Sequence, residues 1–436
     1  MGLLLTGGRV VDPATGLDII ADVLVADGKV AAIGPNLPRE GKQVKDVTGM
    51  WVVPGLIDIH VHLREPGEED KETIATGTKS AAAGGFTSIA CMPNTNPVID
   101  TPGMVTYIKD KAKAEGVVNV YPISAITKGS QGKQLADLAM LQAAGAVAAS
   151  DDGHTVEDSN LLRRALEYGG QLGLPIIEHC EDPSLSGDGV ANEGFPVTVL
   201  GLKGIPAAAE EVIVARNICL AKQTGFPIHL AHISTAGSVA LIREAKAKGV
   251  PVTAEVTPHH LTLTEEALEG FNPNAKVKPP LTTKADVEAL RAGLRDGTID
   301  LIATDHAPHT LVDKSGAFAD AAFGISGLET AVGVILTELV FTNIFSLPDI
   351  IKKMTWVPAQ VLGLQQGRLQ VGAVADITVI DPEARWVVDP GQFASKGKNS
   401  PYSGKTLQGK PYLTMVNGQV VMEAGKVLNK GEEPGA

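Results

Sequence analysis

Histidines at positions 60 and 62 stand one residue apart in "DIHVHLREPG", with Arg64 two positions further on, directly behind the apolar run 51–59. In an extended chain alternate side chains share a face, so His60, His62 and Arg64 are expected to project together from a strand end. Two converging imidazoles suit a metal ion. A packed or solvated histidine pair would read the same locally, so the rest of the chain must supply further ligands.

Several stretches do. "SDDG" carries Asp151 and Asp152, "IIEHC" carries His179, "HLAHIS" carries His232, and "ATDHAPH" carries Asp305. Cys91, Cys180 and Cys219 are scattered without paired spacing, which argues against a cysteine-based zinc site and a disulfide framework. The ligands must then be imidazole and carboxylate, a set that suits zinc or a similar divalent ion and is large enough for one or two ions. A catalytic ion keeps a position open for water and lowers its pKa towards ~7, so hydrolysis is the expected chemistry. A carboxylate at the site would take the proton and pass it to a leaving nitrogen, and Asp305 is the candidate.

The elements that must position these residues form a repeating pattern. Apolar runs at 53–60, 86–92, 118–124, 146–151, 174–179, 227–232, 250–257 and 299–304 alternate with helical segments, such as those at 72–83, 160–172, 207–224, 236–248 and 284–296. Eight such alternations predict a (β/α)8 barrel. An open doubly wound sheet would place a glycine-rich phosphate turn after its first strand, where this chain has HxHxR. In a barrel the site lies at the C-terminal ends of the strands, and five of the eight ends carry a candidate ligand. Both chain ends instead alternate with strand period and carry Asp-Gly and Thr-Gly turns. They are expected to pair into one small β-sandwich, as residues 1–53 and 363–436, flanking a barrel of 54–362; two separate hairpins are the alternative.

Composition narrows the function. With 44% hydrophobic and 20% charged residues the chain reads as globular, and no apolar run approaches the ~20 residues of a membrane span. A net charge of −13 without a basic block argues against nucleic-acid binding. "MGLLLTGGRVVD" lacks a basic n-region, so a cytoplasmic location is expected.

Taken together, "HVHLREPG", "GTKSAAAGGFTS", "MPNTNPV", "SDDG", "EHCED", "HIST", "TAEVTPHHLTLTE", "ATDHAPH" and "FGISGLET" resemble the amidohydrolase superfamily, and more closely its class I dihydroorotases. The resemblance runs nearly end to end. It implies the barrel with a β-sandwich and interconversion of dihydroorotate and N-carbamoyl-aspartate in pyrimidine synthesis. It also implies a zinc centre of His60, His62, Asp152, His179, His232 and Asp305, with Asp152 bridging the ions. Substrate contacts from Arg64, Asn94 and His309, and from the backbone at Phe323 and Gly324, follow by the same resemblance, as does a homodimer.

Related hydantoinases and allantoinases use a carboxylated lysine after strand four, whereas "GAVAASDDGH" has none. Some similar chains are noncatalytic scaffolds of aspartate transcarbamoylase and typically lose ligands; here all six are present, and an assembly with transcarbamoylase fits both readings. One departure stands out. The family usually shows Asn before the Pro-Pro pair and Arg after the leucine, but "KVKPPLT" has Lys278 and Thr282. Lysine only donates, so Lys278 is expected to reach a carboxylate oxygen of an anionic substrate. His229, three residues before His232, is expected on the opposite strand face among helices.

Overall fold

Strand-period alternation at the N-terminus yields β1 (Gly2–Asp12), β2 (Leu17–Ala26), β3 (Lys29–Gly34), β4 (Lys42–Asp46) and β5 (Trp51–Pro54) in the computed structural model, which describes residues 2–429 and Glu432. Asp27 and Gly28, both at positive φ, close the β2–β3 hairpin as the Asp-Gly signal requires. The parallel strands follow: β6 (Leu56–Val61), β7 (Phe86–Cys91), β8 (Asn119–Ser124), β9 (Ala148–Ser150) and β10 (Ile176–Glu178). A short pair, β11 (Ala191–Asn192) and β12 (Gly204–Ile205), interrupts them before β13 (Ile228–Leu230), β14 (Val252–Val256) and β15 (Leu301–Ile302). β16 (Ile377–Val387), β17 (Thr406–Val416), β18 (Gln419–Glu423) and β19 (Lys426–Val427) complete the chain.

The eight parallel strands order as β15-β14-β13-β10-β9-β8-β7-β6. A Val61–His306 bridge and the His62 N–H donating to the His306 carbonyl at 2.9 Å bring the two edges together. This is the (β/α)8 barrel. Thr73, Asp158, Thr235 and Thr283 each accept a backbone N–H at the start of the helices Ile74–Ala83, Ser159–Leu172, Ala236–Ala247 and Lys284–Asp296. Those caps end the βα loops sharply and so hold the strand ends in place.

Two apolar layers surround the barrel wall. Leu56, Val61, Leu230, Ala254 and Val256 pack outward against the helices. Ile57, Ile59, Ala90, Met92, Ile123, Ile177 and Leu301 fill the interior together with Ala359 and Leu362 from the C-terminal helical turn. Fully burying one such isoleucine or leucine contributes about 1.5–3 kcal/mol. The interior is therefore apolar at its base, leaving the strand C-termini for polar residues.

Strands of both chain ends join one nine-stranded sheet, because β5 pairs antiparallel with β16 in the register Val52 with Val379 and Val53 with Thr378. Separate hairpins are excluded. Irregularities at Leu5/Gly8 in β1 and in β16 and β17 bend the sheet, around a core that includes Leu5, Val10, Val23, Val52, Ile377, Leu413 and Met415. The segment between β16 and β17 leaves this sheet and returns to the barrel mouth through Ser395 and Asn399. Among the described residues no helix is long and apolar enough to cross a membrane.

Candidate metal centre

Simple alternation does not by itself deliver the histidines. Ile57 and Ile59 face the barrel interior and Val61 faces outward, so strict period two would turn His60 away from the interior. A register shift between Asp58 and Val61 breaks the alternation, and His60 follows Ile59 inward. β6 ends at Val61, so His62 and Arg64 lie beyond it, and Arg64 sits at φ +61°. The expectation that all three share one extended face is thus corrected: a bulge and a left-handed residue bring them to the same mouth. His232 (φ +33°) and Asp305 (φ +47°) are also non-glycine residues held in the left-handed region. Such conformations cost about 1–3 kcal/mol each and persist where surrounding structure enforces them.

The six predicted ligand residues converge at that mouth. Asp152 Oδ1 lies 3.3 Å from His60 Nε2, 3.7 Å from His232 Nε2 and 3.8 Å from His179 Nδ1, while its Oδ2 lies 3.4 Å from His62 Nε2. Asp305 Oδ1 is 3.1 Å from His62 Nε2 and 3.5 Å from His60 Nε2. All six side chains are buried. Two donor groups emerge, His60 with His62 and Asp305, and His60 with Asp152 and His232.

These residues fit a divalent cation. Ligands held ~2.1 Å from a tetrahedral ion lie about 3.4 Å apart, close to the separations above. Moreover, His60 Nε2 and Asp152 Oδ1 are buried without a hydrogen-bond partner although they are neighbours. His60 Nδ1 lies 2.6 Å from Glu255 Oε1, and with a proton held there, loss of the Nε2 proton turns a lone pair toward a carboxylate oxygen. Two facing lone pairs in a dry site call for a cation between them.

Three of the four imidazoles, those of His60, His62 and His179, are oriented by an acceptor behind the ring. Glu255 accepts from His60 Nδ1, from His229 Nε2 at 3.1 Å and from the His232 N–H at 3.3 Å. Burial pushes its carboxyl up, but the charge on His60 and these hydrogen bonds outweigh burial and hold it far below the usual range. Asn94 Oδ1 is 2.9 Å from His62 Nδ1, and Glu181 Oε2 is 3.1 Å from His179 Nε2. Such partners fix the tautomer that leaves the inner nitrogen free. Burial likewise raises Asp305, but the His62 hydrogen bond and the charges on His60, His62 and His232 hold it at about 2. Sequence reasoning missed Glu255 and Glu181. The signal was a carboxylate inside the apolar strand "TAEV" and another two residues after His179 in "EHCED".

Arg64, His309, Phe323 and Gly324 gather beside the cluster. Arg64 Nε donates to the Pro308 carbonyl at 3.3 Å, and its Nη2 lies 3.3 Å from His309 Nε2. His309 Nε2 is 2.8 Å from the Phe323 carbonyl, and its buried Nδ1 has no hydrogen-bond partner. A Cβ on Gly324, at φ +142°, would come within 3.0 Å of the His309 ring and 2.8 Å of Ala307. Asn399, arriving from the β16–β17 segment, clamps this loop. Its Oδ1 accepts from the His309 N–H and Ser326 Oγ, and its Nδ2 donates to the Ala307 and Gly324 carbonyls. Lys278 reaches toward the cluster and bonds Glu181 Oε1 at 2.8 Å, and Thr282 buries its hydroxyl on the Ser234 carbonyl.

The other candidates separate from the site. Asp151 braces the loop after β8 by accepting from the Ile126 and Thr127 backbone. His154 is exposed. His306 lies between Glu72 and the Gly327 N–H, and His260 between Thr257 and the Pro279 carbonyl. His229 corrects the expectation of helix packing. It bonds Thr253 Oγ1 at 2.8 Å and Glu255 inside the barrel, because the left-handed turn at His232 lets both histidines face inward.

Comparison with known proteins places this geometry among relatives. A family profile described as "Dihydro-orotase-like" matches residues 49–238. A protein named dihydroorotase from Pelotomaculum thermopropionicum is 56% identical over 97% of this chain and 99% of its own length. Another, from Citrifermentans bemidjiense, is 54% identical over 97% of this chain and all of its own. Among solved structures, an L-hydantoinase from Arthrobacter aurescens superposes with a TM-score of 0.88 at 28% identity, covering 98% of this chain and 97% of that one. A dihydropyrimidinase from Brevibacillus agri, at 24% identity and a TM-score of 0.87, shares the fold.

Proposed function

The chain belongs to the dihydroorotase family, and from that premise we propose that it interconverts N-carbamoyl-L-aspartate and (S)-dihydroorotate in pyrimidine biosynthesis, using zinc held by His60, His62, Asp152, His179, His232 and Asp305. The observation that carries the reading is the convergence of all six side chains, with orphaned lone pairs between them, in a chain 56% identical to a dihydroorotase over 97% of its length. Bound zinc would polarise the amide carbonyl and lower the pKa of water towards ~7.

The chain's own residues do the rest. Asp305, ionised and beside His62, takes the proton of the attacking water and gives it to the ring nitrogen as the C–N bond breaks; cyclisation runs the same transfer backwards. Arg64, anchored on the Pro308 carbonyl beside His309, is suited to pair with the substrate carboxylate. His309 stays neutral, since burial and the nearby Arg64 charge push it down to about 3, and it offers its free Nδ1 as an acceptor. Asn94 orients His62 and keeps its amide for the substrate, and the backbone at Phe323 and Gly324 borders the ring. Metal analysis together with assays of dihydroorotate hydrolysis and carbamoyl-aspartate cyclisation tests the reading. Bound metal with turnover in both directions is expected; a metal-free, inactive chain would favour a scaffold of aspartate transcarbamoylase, and turnover of hydantoins alone would favour a hydantoinase.

A further inference from the structure

We propose that Lys278 is a positioning residue for the metal centre, acting through Glu181 on His179, rather than the hook for a substrate carboxylate that its type first suggests. The inference rests on the reading of His179 as a metal ligand.

His179 turns Nδ1 inward, 3.0 Å from His232 Nε2 and 3.8 Å from Asp152 Oδ1, and turns Nε2 the other way, 3.1 Å from Glu181 Oε2. A neutral imidazole that offers the Nδ1 lone pair to a cation carries its proton on Nε2 and must place that proton on an acceptor. Glu181 is the acceptor. Its backbone is pinned, because the Glu181 N–H donates to Thr155 Oγ1 at 3.0 Å and Thr155 Oγ1 donates to the Glu181 carbonyl at 2.6 Å. The side chain is held at its far oxygen by Lys278 Nζ at 2.8 Å. One carboxylate thus spans a ligand imidazole and an ammonium, one oxygen to each.

The geometry favours positioning over substrate binding. The ammonium is already committed to a carboxylate of the protein, and Glu181 is only 13% exposed against 31% for Lys278. A substrate carboxylate arriving at Nζ would compete with Glu181 and meet a like charge. Lys278 also stands 5.5 Å above the Phe323 ring, whose carbonyl orients His309, so the same ammonium ties the ligand side of the mouth to the loop side. Without Lys278, Glu181 could swing from His179, and the imidazole would be free to rotate or change tautomer. Partners behind a ligand typically change metal affinity 10–100-fold when removed. Lys278 acts one step further out, so the lower end is expected.

The test measures Co²⁺ affinity of the metal-stripped full chain by chelator competition, with the cobalt absorption spectrum as a second readout. Lys278→Ala should weaken binding about tenfold and alter the spectrum, Lys278→Arg should restore both, and KM for dihydroorotate should move less than about twofold. In a Glu181→Gln background, Lys278→Ala should add nothing, the signature of two residues acting as one unit. The proposal is overturned if Lys278→Ala leaves Co²⁺ affinity within about twofold, if the two substitutions add independently, or if KM alone rises; the last returns Lys278 to substrate binding. The underlying reading fails separately: if His179→Ala binds Co²⁺ as wild type does, His179 is no ligand. Lys278 is partly exposed, so its truncation leaves no buried void, and a thermal melt confirms that the variants fold.

Discussion

Glu255→Gln removes a charge from the back of the candidate metal centre while keeping the shape of the side chain. The carboxylate now takes three hydrogen bonds, from His60 Nδ1, His229 Nε2 and the His232 backbone. Glutamine offers one acceptor oxygen and an NH₂ that cannot accept, so it keeps the bond to one histidine and presents a donor to the other. Losing a hydrogen bond to a charged group costs about 1.5–3 kcal/mol. Part of that loss falls on the folded protein, and part falls on the form whose His60 Nε2 is free for a cation. Metal affinity should therefore drop about 10–100-fold, or about 1.4–2.8 kcal/mol. Chelator competition with Zn²⁺ or Co²⁺ at fixed pH measures it, and Thr253→Val, which removes the hydroxyl bonded to His229 Nδ1 and leaves the Glu255 carboxylate in place, serves as the control. Affinity within about a factor of two of wild type would refute the claim that Glu255 holds His60 in its metal-binding tautomer.

Asp305→Asn should retain much of the metal but lose ~10²- to 10⁴-fold in turnover, because an oxygen ligand remains while the proton carrier is gone; activity within about twofold of wild type would remove Asp305 from that role. Arg64→Met should weaken dihydroorotate binding by about 1.5–3 kcal/mol, and an unchanged KM would count against a carboxylate contact. Asn399→Ala strips partners from His309, Ser326, Ala307 and Gly324 at once; it should lower stability in urea by about 1–3 kcal/mol or more and raise KM, and a neutral result would show that the loop does not depend on the clamp. His309, held down at about 3 by burial and Arg64, should show no ring titration by NMR between pH 5 and 8. Its unfolded pKa is ~6.5, so the stability it contributes is full above that pH and is lost as pH falls towards about 3. A midpoint near 6.5 in the folded protein would contradict the buried placement.

The sequence by itself determined the architecture and the candidate ligands at its strand ends. The eight apolar runs became the eight parallel strands because short β-branched and aliphatic segments between capped helices have one stable arrangement, a wall buried on both faces. Candidate ligands were legible at five strand ends because strand C-termini meet at one barrel mouth, while the set His60, His62, Asp152, His179, His232 and Asp305, with Asp152 chosen over Asp151, came from the family resemblance. How those side chains reach the mouth was decided only in three dimensions. The bulge before Val61 and the left-handed residues Arg64, His232 and Asp305 break the period-two rule, and their local cost is met by contacts that a one-dimensional pattern does not contain. The same holds for the partners behind the ligands. Glu255 lies 195 residues from His60, and Asn399, which holds the His309 loop, lies 90 residues from it, whereas Glu181 is a local partner two residues from His179. Lys278 read from sequence is a free cation facing a substrate; in the fold it is bound to Glu181, because a charge beside a buried carboxylate pairs with the nearest opposite charge that the tertiary structure brings within reach.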